Sequence, residues 1–180
     1  MSISAKGAPT ERESGPRQSR RATRLADRIE EGAALLAAFA EGLSEQEWRA
    51  PADANGSDQR PVGVIVRHVA SVYPIEVDLA RKIASGTAVT DVTWAMVAEL
   101  NAQHAKDAKD ASKAATLELL RRNSREAADA VRAFTDEQLD QAAPFSLSYS
   151  APVTAQFVIE DHAVRHSWHH LARIRKGLGR

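Results

Sequence analysis

Four of the six histidines in this 180-residue chain, His162, His166, His169 and His170, fall within nine residues of each other near its C-terminus, in HAVRHSWHHLARIRKGLGR. Imidazole changes charge near neutral pH, and its neutral form is a ligand for zinc, nickel, iron and manganese. The cluster therefore allows a divalent-metal site, a pH-sensitive patch, or nothing beyond a polar helix face.

Helical geometry divides the four. A helix turns about 100° per residue. On that scale Ile159, Ala163, Ser167, Ile174 and Leu178 form an apolar or small-residue face, which His170 joins and His166 borders one turn earlier. His162 and His169 fall further round, towards Arg173, on the polar side. His166 and His170 stand at i and i+4, the spacing that lets two imidazoles share one ion. A further imidazole, His68, sits in the apolar seam Ile65, Val72, Ile75, Leu79 of an earlier helix. A lone seam histidine is ordinarily a hydrogen-bonded core residue, because burial demands a partner. An H-x-x-x-H pair alone is more often not a ligand pair. The conjunction carries more weight: three neutral imidazoles meeting in a core hold a divalent ion and leave one position open. Such a site lowers the pKa of a bound water or thiol.

Neighbouring residues offer supporting roles. Asn101 and His104, one turn apart in LNAQHA, are candidates to line the site, against the plainer reading of a solvated face. Glu160 and Asp161 are candidates to orient a ligand imidazole by hydrogen bonding. Trp94 and Trp168 read as packing residues.

Composition and missing motifs narrow the classes. Twenty-four Lys plus Arg balance twenty-four Asp plus Glu, so no basic field draws nucleic acid or anionic lipid. With no cysteine, disulfides, thiolate ligands and a cysteine nucleophile are excluded. A thiol in the chemistry would come from outside. No Glu is followed three residues later by His, as di-iron bundles require, and H-E-x-x-H, Walker A, G-x-G-x-x-G and G-x-S-x-G are absent. Neither a membrane-spanning apolar run nor an apolar signal core is present, so a cytoplasmic protein is expected.

The elements that must position these residues are helical. Residues 1–18, rich in Ser, Gly, Pro and charge, read as a disordered arm ahead of a domain over 19–180. Leu25, Ile29, Leu36, Phe39 and Leu43 recur at helical spacing and predict a helix over 20–43. A second helix is expected over 61–85, with Pro61 in its first turn, Pro74 as a kink and Gly86 as its stop. The long helical stretch that follows breaks at KDAKDAS, where Ser112 is a cap. That gives a short helix over 92–105 and a long one over 113–134. The last helix runs over 153–177. FSLSYSAPV alternates briefly, but no strand is expected to pair with it. SEQEW after the first helix and TDEQLD after the third echo one another, too briefly to indicate duplication. The expected fold is all-α: a four-helix bundle with one additional short helix between helices two and three.

Three stretches carry a resemblance: RPVGVIVRHVASV, TWAMVAELNAQHA and HAVRHSWHHLARIRKG. In this order they resemble the DinB-like superfamily, which includes DinB/YfiT-type proteins and the N-terminal domain of mycothiol-dependent maleylpyruvate isomerase. The resemblance spans about residues 20–178 and includes the LSEQEW and FTDEQLD helix ends. It implies a four-helix bundle with one divalent ion on three histidines, which match His68, His166 and His170. His169 falls where such proteins often carry an aromatic residue or a second histidine, so it is a pocket-lining residue rather than a ligand. The resemblance further implies a metal-dependent enzyme for a small-molecule substrate, of the thiol-dependent S-transferase type with a low-molecular-weight thiol as cosubstrate. The alternatives are a hydrolase on the same fold and a non-enzymatic, stress-associated binding module. A helical dimer with a pH-sensitive histidine interface is a further reading. Zinc or nickel comes first, with iron and manganese also accepted by imidazoles. A homodimer is expected, with no nucleic-acid or membrane partner.

Overall fold

The computed structural model describes residues 19–53 and 59–180; the arm assigned to 1–18 lies outside them. Helix α1 (Arg20–Glu41) begins at Ser19, whose hydroxyl accepts from Ala22 N at 3.0 Å. It buries Leu25, Ile29 and Leu36 of its predicted seam and leaves Phe39 half-buried, while Leu43, also buried, lies beyond its end. A one-turn helix, α2 (Glu45–Arg49), follows. Next comes α3 (Val62–Ala84), stopped by Gly86 at φ 76°, a left-handed position that glycine adopts without strain. Helix α4 (Trp94–Asp107) is separated from α5 (Lys113–Arg132) by a break at the expected place. Ser112 caps α5, accepting from Ala115 N at 3.2 Å.

The echo between SEQEW and TDEQL has a local cause. Both segments are capping boxes: Ser44 with Glu47 opens α2, and Thr135 with Gln138 opens α6 (Asp136–Asp140). Each turns the chain immediately after a long helix, satisfying first-turn N–H groups reciprocally.

The next segment departs from expectation. Residues of FSLSYSAPV do find a strand partner: β1 (Ala142–Phe145) pairs antiparallel with β2 (Ala151–Thr154), Ala143 opposite Val153. A 3-10 turn, Ser146–Ser148, and left-handed Tyr149 and Ser150 at φ 56° and 60° close the hairpin. Phe145, 1% exposed, anchors it in the core. The chain then runs through α7 (Ala155–Val158), a π-helical turn (Ile159–Val164) and α8 (Arg165–Gly177) as one continuous helical segment.

Helix α5 packs on both α1 and α3, and the C-terminal helical segment packs on α1 and α3 from the other side. Around the bundle the order is therefore α1, α5, α3, C-terminal segment. Arg132 of α5 binds Asp27 and Glu30 of α1, and their hydrogen bonds raise its guanidinium pKa further.

Pro74 lies inside α3 and cannot donate to the carbonyl of Ala70. Asn123 of α5, 8% exposed, takes that place: its Nδ2 donates to Ala70 O at 2.8 Å. The proline that interrupts one helix thus ties it to another. Close approaches elsewhere need glycine. A Cβ at Gly63 would stand 2.4 Å from the Trp48 ring, and one at Gly32 would stand 2.6 Å from Trp168 Nε1. Trp168 therefore packs against Gly32 while remaining 37% exposed, and Trp94 is 62% exposed on α4, which buries none of its residues. The α3 seam is also corrected. Ile75 is 39% exposed, and the chain turns Glu76 inward instead.

Candidate metal centre

His68 comes from the first half of α3, and His166 and His170 from successive turns of α8. One donor nitrogen of each lies within 4.8 Å of the other two. His68 Nε2 and His166 Nε2 are 3.1 Å apart. Ring centroids are separated by 5.0 Å for His68–His166, 5.6 Å for His68–His170 and 4.9 Å for His166–His170. Two imidazoles on one tetrahedral zinc ion have nitrogens about 3.4 Å and ring centroids about 5.2 Å apart. The three rings stand close to that spacing, so the donor set fits a divalent ion.

The electrostatics agree with the geometry. His68 and His170 are 8% and 7% exposed, and His166 is half-buried. Burial, then the neighbouring His166 and His68, push His170 down to about 2, so it stays neutral. Glu76 stands two turns beyond His68 on α3 and is 4% exposed, the sole buried carboxylate among the described residues. Its Oε1 accepts from His166 Nδ1. With the proton held on Nδ1, His166 directs the lone pair of Nε2 at His68. This is the tautomer a metal requires, fixed by a carboxylate behind the ring. The other oxygen of Glu76 and Nδ1 of His170 are buried without hydrogen bonds among the described residues.

A second bond holds the two helices in register. Tyr73 OH and Ser167 Oγ, one residue from His166, meet at 2.6 Å in the core. Burial pushes the Tyr73 phenol well above its ordinary pKa, so it remains a neutral hydrogen-bonding group.

The remaining candidates fall at different distances. His104 is half-buried on α4, its ring 6.2 Å from His68. Asn101 is half-buried one turn earlier, and its side chain makes no hydrogen bond among the described residues. His169 is exposed, edge-on to His170 at 5.2 Å and outside the cluster. His162 differs from expectation: it turns against Phe145 of the hairpin at 5.8 Å, and desolvation lowers its pKa. The π turn that contains it moves it off the polar face a regular helix would give. Glu160 and Asp161 do not support a ligand. Glu160 pairs with Gln156 at 3.1 Å and Asp161 with Arg165 at 3.1 Å. Glu76 is the carboxylate that hydrogen-bonds a clustered imidazole instead; its place on the His68, Val72, Glu76 row of α3 is a sequence cue that its charge outweighs. A groove of about 320 Å³ between α1 and α5, lined by Ala33, Ala37, Glu41 and Arg121, includes none of the histidines.

No curated protein matches the chain significantly in sequence. Among solved structures it is similar to YfiT from Bacillus subtilis, described as a probable metal-dependent hydrolase with an unusual four-helix bundle topology. The TM-score is 0.67 at 21% identity, over 96% of this chain and 95% of YfiT, and it establishes the shared fold. The model of the DinB superfamily matches residues 28–174, a span that holds α3, α4 and all three clustered histidines, and the chain belongs to that superfamily.

Proposed function

We propose that the chain is a metal-dependent enzyme that holds one divalent ion, zinc or nickel, on His68, His166 and His170 and hydrolyses a small-molecule substrate. The observation that carries this reading is the convergence of three imidazoles within 4.8 Å, with Glu76 fixing the tautomer of one of them. An ion bound there supplies Lewis acidity and lowers the pKa of a coordinated water or thiol towards neutrality. The chain's own groups supply the rest. Glu76 holds the proton on His166 Nδ1 and sets the angle of its ring. Burial keeps His170 unprotonated. The Tyr73–Ser167 bond keeps α3 and α8 at a fixed spacing, so the donors need no reorganisation. Three protein donors would leave a divalent ion room for a further ligand from solvent.

The description of YfiT as a probable metal-dependent hydrolase supports hydrolysis as the first reading. Thiol-dependent transfer is the second. The chain has no cysteine of its own, so the attacking sulfur would belong to a low-molecular-weight cosubstrate.

Metal content by mass spectrometry, on tag-free protein, tests the site. Near one divalent ion per chain is expected in wild type and in His169→Ala, with loss in His68→Ala, His166→Ala and His170→Ala at unchanged helical content. Equal loss in His169→Ala, or no ion after reconstitution, would overturn the assignment. Turnover of an ester and amide panel without added thiol supports hydrolysis; turnover that appears only with thiol supports transfer.

A further inference from the structure

We propose that His104 is a fourth imidazole donor for the same ion, brought in by a small inward shift of α4. The centre then has a closed form with four nitrogens and an open form with three. This rests on the metal-binding reading above and goes beyond it, because the fourth position becomes a switch rather than a permanently solvent-facing site.

Distance comes first. The His104 ring lies 6.2 Å from His68, against 5.0 Å and 5.6 Å for the two α8 histidines. Rings that share a tetrahedral ion stand about 5.2 Å apart. His104 thus stands about 1 Å farther from His68 than a shared ion would set, and outside the three histidines whose nitrogens lie within 4.8 Å of one another. Its Nδ1 is fully buried and makes no hydrogen bond among the described residues. A buried nitrogen without a partner is costly, and ligation would supply one.

The helix that carries His104 is built to move. Helix α4 buries none of its residues, whereas α1, α3, α5 and α8 all contribute to the core. Its main contact is α3, the helix of His68. Trp94, Met96 and Leu100 point outward at 62%, 52% and 37% exposure, so no core packing resists a shift. Both ends are fixed. Before the first turn, Ser146 Oγ donates to Val92 O at 2.6 Å. After the last, Ala108 is 5% exposed. A helix pinned at its ends and loose along its length can shift without unfolding the core. Displacing His104 then frees the position that a substrate oxygen or sulfur would take, and its return shields the ion between turnovers.

The test uses cobalt and zinc without substrate. Cobalt(II) absorption reports the ligand set, and hydrogen exchange of residues 94–107 reports α4. In wild type, zinc is expected to slow exchange across α4 several-fold. In His104→Ala and His104→Gln the chain should still take up one ion, with an altered cobalt spectrum and no added protection of α4. Free imidazole should return the His104→Ala spectrum towards wild type. Identical cobalt spectra and identical α4 exchange in wild type and both variants, with the ion bound, would overturn this proposal alone. A wild-type chain that takes up neither ion would overturn it together with the metal reading.

Discussion

At the residue scale, the centre depends on a carboxylate that touches no open face. Glu76 determines which nitrogen of His166 is free, so Glu76→Gln should keep the helix packed but weaken metal affinity about 10- to 100-fold. Competition with a chromophoric chelator would measure it; unchanged affinity would reduce Glu76 to a packing residue. His170 sets the response to acid. Its pKa in the folded chain is depressed, so below about 6.5 the unfolded chain binds a proton that the folded chain refuses. Stability of the metal-free protein is therefore complete above about pH 6.5 and declines as the pH falls below it. Desolvated His162 adds in the same sense. Urea midpoints between pH 5 and 8 should show that decline, and a flat profile would mean the buried imidazoles accept protons in place. Helical spacing turns His68 and His170 towards the core and sets His166 at its edge, and in the structure the three imidazoles meet. Glu76 was not legible in the sequence, because an acid beside Ile75 reads as the exposed member of the pair until a partner for its charge is known.

At the scale of elements, one helix repairs another. Pro74 leaves the Ala70 carbonyl without a helical donor, and Asn123 supplies it at 2.8 Å. Asn123→Ala should cost about 1–3 kcal/mol by stranding a buried acceptor, read as a lower urea midpoint with helical content retained. A change within about 0.5 kcal/mol would mean that the carbonyl finds another donor. The break before Ser112 and the stop at Gly86 were readable because capping chemistry is local. The hairpin was not. Its strands of four residues are too short to show a period, and what holds Phe145 in place is the core beneath it. The echo of SEQEW and TDEQL was visible, but its meaning as two capping boxes needed the hydrogen bonds.

At the scale of the whole molecule, the histidines join α3 to α8, segments about 100 residues apart in sequence. An ion held by both favours the folded chain by about 2.7 kcal/mol at a free concentration one hundred times its dissociation constant. Zinc or nickel should therefore raise the melting temperature, and a chelator should lower it by the same amount. A melting temperature indifferent to both would disconnect the centre from the fold. Four long periodic segments announced a bundle, but their order around it did not follow from sequence, since amphipathic faces fit several neighbours. The π turn at Ile159–Val164 has a consequence for the length of the chain itself. A π turn stores one residue more than the α-helical path needs, and this one sits just upstream of His166. The chain could give up Asp161, a half-buried residue of that turn paired with Arg165, and let the ladder close into ordinary α-helix with His166 and His170 still in register. The same shortening within α8 would swing the following residues by about 100° and part the pair. Two adjacent stretches of one helix thus have opposite tolerance to the loss of a single residue.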